Sequence, residues 1–284
     1  MSTEKTQNPV PMSSQHCQRR YHFRKNFGTR CPVFRRRRAT YPIRSGRKEL
    51  MKTPAESAAK KCLEDRFPDC RMAFLGGSSA RRELNEYSDI DILIIDDTQP
   101  FSYHQCLFCY GWPIELFVFH QDVLSFFFEI SRQERIPTLL RLCAEGRVLK
   151  DDGSAERMKS QAEKRLKNGP SKWTEGERDR QRFAITDLLN DLNSTTSREE
   201  TVFIAAKLFD LVPEFVLSAH GQWLGHGKWM FRTLHDFDPS FSEQWLEAYQ
   251  HLIKTGNSER FAALADRQLA RHGGRLFAGY KEIY

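Results

Sequence analysis

The 284-residue sequence contains no run of 18 or more apolar residues, and its nearest candidate, Val123 to Phe128, is far too short to cross a bilayer. It shows no apolar signal sequence, no internal repeat and no heptad array. These absences argue against a transmembrane helix, a solenoid and a coiled coil. We therefore expect a cytoplasmic protein without a membrane partner.

The sequence also lacks the cysteine pattern of a disulfide framework, because its seven cysteines are odd in number and scattered. Cys106 and Cys109 form a lone CxxC pair. Four-ligand zinc sites need a second pair or a histidine pair at suitable spacing, and neither is present. We expect small buried thiols at this pair rather than a metal or redox centre.

Acidic residues are nearly absent from the first 50 positions, which hold thirteen Lys or Arg but only Glu4 and Glu49. That segment carries a net +11, and because the whole chain carries +7, residues 51–284 carry −4. Its composition predicts a disordered basic extension over 1–51. Three functional interpretations stay open: a transit peptide, an arm for nucleic acid, or a gene-model extension before a start at Met51.

From Thr53 onwards, hydrophobic periodicity predicts alternating strands and helices up to about residue 153 and helices alone beyond it. The predicted fold class is α+β, with a mixed-sheet domain over 52–153 and an all-helical domain over 154–284. Predicted strands are Met72–Leu75, Asp89–Ile95, Ile114–Phe119 and Arg147–Lys150. Predicted helices begin near residues 55, 78, 122, 138, 155, 175, 198, 227, 242 and 259.

Two carboxylates occupy alternate positions at the start of one predicted strand. Residues i and i+2 of a strand point to the same face, so Asp89 and Asp91 would project together while Ile90 and its apolar successors line the other face. Adjacent carboxylates repel unless a cation lies between them. Mg²⁺ is the usual cation where substrate phosphates complete the coordination shell.

An anion site and a third acid accompany this pair. Gly76 and Gly77 allow close backbone approach, and Ser78 or Ser79 is predicted to cap a helix whose N-terminus favours a phosphate. Glu115 lies on another apolar strand, where a carboxylate needs a functional reason. It could bind a second metal or act as a general base.

The pattern Gly76-Gly77-Ser78, ten residues, Asp89-Ile90-Asp91-Ile92 and a later Glu115 resembles the DNA polymerase β superfamily of nucleotidyltransferases. The details around Ser78 and Ser88 look like the antibiotic-type and minimal members. By this resemblance, Asp89, Asp91 and Glu115 would hold two Mg²⁺ ions, with Glu115 either a ligand or the base. Residues expected to bind the triphosphate of ATP are Gly77, Ser78, Arg81, Ser88 and Lys228.

Lys228 is assigned because Gly-Lys-Trp turns occur in helical domains attached to small-molecule nucleotidyltransferases. The surrounding glycines do not match a phosphate-binding P-loop, since the spacing is wrong and Trp229 replaces Ser or Thr. The alternative for Lys228 is an ordinary solvated lysine without a function. The alternative for Arg81 is an exposed helical residue that does not bind phosphate.

The resemblance implies that AMP passes from ATP to a hydroxyl of a small-molecule acceptor, with release of pyrophosphate. Protein adenylylation and template-independent RNA extension use the same catalytic head and remain alternatives, as does an inactive nucleotide sensor. We expect no nucleic-acid partner, because residues 51–284 lack the basic excess that RNA binding requires. A homodimer is left open.

Overall fold

The computed structural model describes residues 53–81, 85 and 87–283. The side chains of Ser78 and Arg81 are not among the parts described. The predictions for the basic extension over 1–51 and for the end of the second helix at 82–84 fall outside the described residues.

Five strands form one mixed sheet in the order β3-β4-β2-β1-β5. Strands β2 and β4 are parallel, and the other three neighbouring pairs are antiparallel. This arrangement confirms the predicted α+β class. The strands are β1 (Met72–Leu75), β2 (Ile90–Ile95), β3 (Tyr103–Cys109), β4 (Trp112–Phe119) and β5 (Arg147–Lys150).

Helices pack on the sheet and then continue alone to Ala270, as the periodicity predicted. No helix of the described residues is both long and apolar enough to span a bilayer. The first four are α1 (Ala55–Arg66), α2 (Gly77–Arg81), α3 (Gln121–Glu134) and α4 (Thr138–Ala144). The others are α5 (Ala155–Asn168), α6 (Glu175–Ser194), α7 (Arg198–Ala219), α8 (Lys228–Phe237), α9 (Pro239–Thr255) and α10 (Glu259–Ala270).

Alternation along β2 and β4 gives the sheet two buried faces. Ile90, Ile92 and Ile94 pack in a core with α1, whereas Leu93 and Ile95 pack in a second core with α3, α4 and α5. Residues two apart share a face, so Asp91 of β2 lies on the second face, before its apolar part begins. The same alternation places an acid on that face of β4.

The sequence analysis did not predict β3, which pairs with β4 across a two-residue turn at Tyr110 and Gly111. Both turn residues have positive φ, 53° and 82°, as a type I′ hairpin requires. The usual Asn-Gly or Asp-Gly signal of such a turn is missing. Only one face of this edge strand contacts the core, and its several polar residues make the apolar–polar alternation of a strand hard to recognise.

The predicted serine cap of α2 is wrong, because the helix already begins at Gly77. The φ of Gly77 is +61°, a conformation open to glycine, and it lets the chain turn into the helix before either serine. Ser79 is buried, and its hydroxyl instead donates to the carbonyl oxygen of Asp89 at 3.2 Å. That bond ties α2 to the start of β2.

Arg135 joins the sheet and its helices to the helical part of the chain. It has a left-handed φ of 63° just after α3, and its carbonyl oxygen accepts a 2.7 Å hydrogen bond from the Leu224 amide. Its buried guanidinium lies over the Trp173 ring at 5.4 Å and 3.5 Å from a Glu177 carboxylate oxygen. Beyond this junction, α6 to α10 share a core that includes the fully buried Trp245.

Candidate active site

Three carboxylates meet on one face of the sheet, and the i, i+2 spacing had predicted a shared face for Asp89 and Asp91. Asp91 of β2 and Glu115 of β4 are partners in the parallel register, and Asp89 stands just before β2. One oxygen from each of the three lies within 4.8 Å of the others. Asp89 is exposed, and the other two are partly buried, so the cluster opens to solvent on one side.

The three carboxylates repel one another when all are ionised. Burial, together with the charges of Asp89 and Glu115, raises the pKa of Asp91 to about 7. Close contact with the Glu115 carboxyl adds to this rise in the pKa of Asp91. An all-oxygen cluster that binds a proton near neutral pH suits a hard divalent cation such as Mg²⁺.

Gly77 is packed directly against this cluster. A Cβ at Gly77 would overlap the Asp91 carboxylate, because that Cβ would lie only 3.0 Å from the Asp91 Cγ. A Cβ at Gly76 would overlap the Leu142 side chain of α4 instead. The two glycines are therefore required by close approach, and Gly77 also by its positive φ.

Lys228 reaches the site from the helical part of the chain. It is the first residue of α8, it is exposed, and its positive charge lowers the pKa of Asp91 against the stronger raising effects. Ser88 lies in the turn before β2, where its hydroxyl accepts from the Asn85 amide at 2.9 Å. For Ser78 and Arg81, the predicted contacts to phosphate concern side chains outside the described part.

The start of α8 is held against α4 by an aromatic contact. The Trp229 ring lies between the guanidiniums of Arg141 and Arg232, with centroid distances of 5.6 and 4.9 Å. Gly225 is needed here, since a Cβ would come within 2.6 Å of the Trp229 carbonyl oxygen. These contacts hold the backbone of α8 beside Lys228, the neighbour of Trp229.

His104 and Cys106 of β3 also belong to this face, and the sequence analysis missed both. The His104 Nε2 lies 2.6 Å from Glu115 Oε1, and Cys106 is the register partner of Glu115. Partial burial and the charge of Glu115 raise the pKa of the Cys106 thiol. Their i, i+2 spacing would have revealed them only if the β3 hairpin had been recognised.

The expectation of two buried thiols at the CxxC pair is wrong for Cys106, which is exposed. Residues three apart on a strand point to opposite faces, so Cys109 packs towards the core with α1 while Cys106 faces the carboxylates. His120 lies at the other end of β4, where its Nε2 is 2.8 Å from the Gln99 carbonyl oxygen. It takes no part in the cluster.

Comparison with known proteins agrees with this geometry. Residues 57–137, which contain all three carboxylates, match the family model described as the nucleotidyltransferase domain. No curated protein matches the chain. Among solved structures, a nucleotidyltransferase-like protein from Exiguobacterium sibiricum 255-15 is similar over 76% of this chain and 73% of its own, with 15% identity and a TM-score of 0.39.

The sheet, the carboxylate cluster and the matched segment together support a nucleotidyltransferase. Residues 57–137 are similar to the nucleotidyltransferase domain. The match ends at Pro137, immediately before α4, and therefore leaves the helical remainder of the chain without an assigned family.

Proposed function

We propose that the protein transfers AMP from ATP to a hydroxyl group of a small molecule, with Mg²⁺ as cofactor and pyrophosphate as the second product. The observation that carries the proposal is the convergence of Asp89, Asp91 and Glu115 within 4.8 Å on one sheet face. The matched domain supplies the reaction class. Donor, acceptor and metal are the parts that this proposal adds.

The three carboxylates would hold the cation. Asp89 and Asp91 offer oxygens from one strand, and Glu115 offers one from the neighbouring strand, so a bound Mg²⁺ would be fixed by two rigid elements. Two such ions would polarise the α-phosphate and neutralise the charge that develops on the departing pyrophosphate oxygen. Without a cation, Asp91 holds a proton near neutral pH instead.

Groups near the carboxylate cluster would bind the triphosphate of ATP. The charge of Lys228 in α8 acts on Asp91, and the missing side chain of Gly77 lets the start of α2 approach the Asp91 carboxylate closely. Ser78, Arg81 and Ser88 are assigned to the same role by their place in the sequence motif. The acceptor oxygen attacks the α-phosphorus, its bond to phosphorus forms, and the bond to the pyrophosphate oxygen breaks.

Glu115 has two possible roles in this step. Its hydrogen bond to His104 and its pairing with Asp91 hold the carboxyl between β2 and β3, where it could bind metal or accept the proton of the acceptor hydroxyl. We assign residues 52–153 to donor chemistry and residues 154–284 to acceptor binding, apart from Lys228 with its role at the triphosphate. A small-molecule acceptor is favoured over RNA, because residues 51–284 carry −4.

The decisive experiment measures Mg²⁺-dependent pyrophosphate release from each nucleoside triphosphate across a panel of aminoglycosides, lincosamides, proteins and RNA. ATP with one small hydroxyl compound should give turnover, and Asp89→Asn or Asp91→Asn should reduce it at least a thousandfold, or about 4 kcal/mol in the barrier. Asp187→Asn, an exposed acid on α6, is the matched control and should keep full activity.

Three outcomes would contradict the proposal. Turnover with RNA alone, lost when residues 1–50 are deleted, would make the protein an RNA enzyme. Turnover with a protein acceptor would make it a protein adenylyltransferase. Tight ATP binding without turnover on any acceptor, unaffected by the two asparagine variants, would indicate a nucleotide sensor.

A further inference from the structure

A second group of metal-binding side chains lies beside the carboxylate cluster and shares Glu115 with it. His104 and Cys106 project from β3 towards Glu115 of β4, and one ligand atom from each of the three lies within 4.8 Å of the others. The Cys106 Sγ is 3.8 Å from His104 Nε2, which is 2.6 Å from Glu115 Oε1. The three atoms therefore surround a common point.

The group is held in place by the edge hairpin. The His104 ring stacks on Phe117, with centroids 4.8 Å apart and an interplanar angle of 22°, so its orientation is fixed by packing. At the tip of the hairpin, the Tyr110 hydroxyl donates a hydrogen bond to Asp65 of α1. Ligands carried by paired strands keep their spacing better than ligands on loops.

The donor atoms differ from those of the neighbouring cluster. Asp89 and Asp91 offer only oxygen, which suits Mg²⁺, whereas an imidazole nitrogen and a thiolate sulfur suit Zn²⁺ and similar borderline-soft ions. We propose that His104, Cys106 and Glu115 form a second metal site, which binds one Zn²⁺-type cation with water as the fourth ligand. His104 and Glu115 are 37% and 29% exposed, so an ion can enter from solvent.

The distances are close to those such an ion needs. Zinc bonds to sulfur and nitrogen with tetrahedral angles would place these two atoms about 3.6 Å apart, near the observed 3.8 Å between Cys106 and His104. A nitrogen and a carboxylate oxygen would be about 3.4 Å apart, compared with 2.6 Å between His104 and Glu115. The carboxylate need only move by about an ångström from its present hydrogen bond.

Sharing of Glu115 makes the two sites compete. An ion bound to His104 and Cys106 would draw Glu115 away from Asp89 and Asp91, so Zn²⁺ should inhibit the Mg²⁺-dependent reaction. This consequence rests on the proposed function, but the site itself does not. Zinc inhibition should therefore be at least tenfold weaker in a Cys106→Ser variant that keeps all three carboxylates.

The direct test uses Co²⁺ as a probe in the full-length protein without Mg²⁺, because Mg²⁺ in the oxygen cluster would compete for Glu115. A thiolate bound to Co²⁺ gives a charge-transfer band in the near ultraviolet, which carboxylates alone do not give. We expect one equivalent of Co²⁺ to produce this band and one equivalent of Zn²⁺ to abolish it. Cys106→Ser should remove the band, and His104→Ala should weaken Co²⁺ binding at least tenfold.

Cys109→Ser is the matched control, because Cys109 lies on the opposite face of the same strand and should leave the band intact. Circular dichroism of each variant verifies that the hairpin still folds. Absence of the band in the wild type, or its survival in Cys106→Ser, would overturn the proposal. Neither result depends on turnover, so failure of the proposed function would remain distinguishable.

Discussion

Asp91 and Glu115 face each other as register partners of the parallel strands β2 and β4, and an oxygen of one carboxyl lies within 4.8 Å of an oxygen of the other. Side chains of register partners extend side by side, so this pairing sets two acids next to each other from separate parts of the sequence. Like charges in that position destabilise the folded protein. The arrangement therefore lowers the stability of the folded protein when both groups are ionised.

A stability measurement on metal-free protein should reveal that cost. The pKa of Asp91 is about 7 in the folded state and about 4 when unfolded, so the folded protein binds the extra proton and its stability falls as pH rises from about 4 to about 7. Asp91→Asn lacks this slope. At pH 8 in EDTA, we expect the variant to be more stable than the wild type by at least about 1 kcal/mol.

Chemical denaturation at pH 5 and pH 8 provides the comparison, with Asp187→Asn as the control that keeps the wild-type slope. Addition of Mg²⁺ should reverse the order at pH 8, because only the wild type gains binding energy at the cluster. Identical pH dependence in the wild type and Asp91→Asn would contradict the assigned cause.

Gly77→Ala should damage the site locally. The added Cβ would overlap the Asp91 carboxylate, and the φ of +61° disfavours alanine by about 1 to 3 kcal/mol. We expect at least a hundredfold loss of kcat/KM together with a lower Tm. Gly176→Ala in α6, where a Cβ meets nothing within 4 Å, should leave both unchanged or raise Tm slightly.

Substitution of Lys228 should separate binding from stability. Its charge reaches Asp91 although the side chain is exposed, so Lys228→Ala should raise the KM for ATP about tenfold, the usual loss for one charged contact, without changing Tm. Lys172→Ala, another exposed lysine, should leave KM unchanged. Equal KM values for ATP in the two variants, measured by steady-state kinetics, would show that Lys228 does not bind the nucleotide.

Arg135→Ala should weaken the junction between the sheet and the helical part. The variant loses a buried guanidinium that contacts Trp173 and Glu177, and we expect a cost of about 2 kcal/mol in urea unfolding. Arg260→Ala removes an exposed ion pair with Glu247 and should cost less than about 0.5 kcal/mol. A similar cost for both would show that the Arg135 contacts contribute little.

The sequence was informative wherever a local pattern decides the structure. The isoleucines of β2 predicted a buried strand, and the i, i+2 spacing predicted that Asp89 and Asp91 share a face. Glu115 was included because an acid stood among the apolar residues of β4. All three lie on, or directly before, strands whose burial can be recognised without knowledge of their partners.

The sequence was not sufficient to predict features that depend on which strands pair and how helices pack. Strand β3 has only one face against the core, and its turn uses Tyr110, a residue that seldom adopts positive φ. Without β3, nothing connects His104 or Cys106 with Glu115. Lys228 was assigned by resemblance alone, because its approach to Asp91 depends on how α8 packs against α4 through Trp229.

The turn at Tyr110 and Gly111 has a consequence for how this chain can vary. Its two residues set the phase between β3 and β4, since each strand alternates its faces with a period of two. One inserted residue would exchange the faces, replacing His104 and Cys106 on the Glu115 face with Tyr103 and Gln105 or with Gln105 and Leu107. Loop length at this one hairpin therefore decides whether an imidazole and a thiol lie beside Glu115, without any change to the residues of the strands themselves.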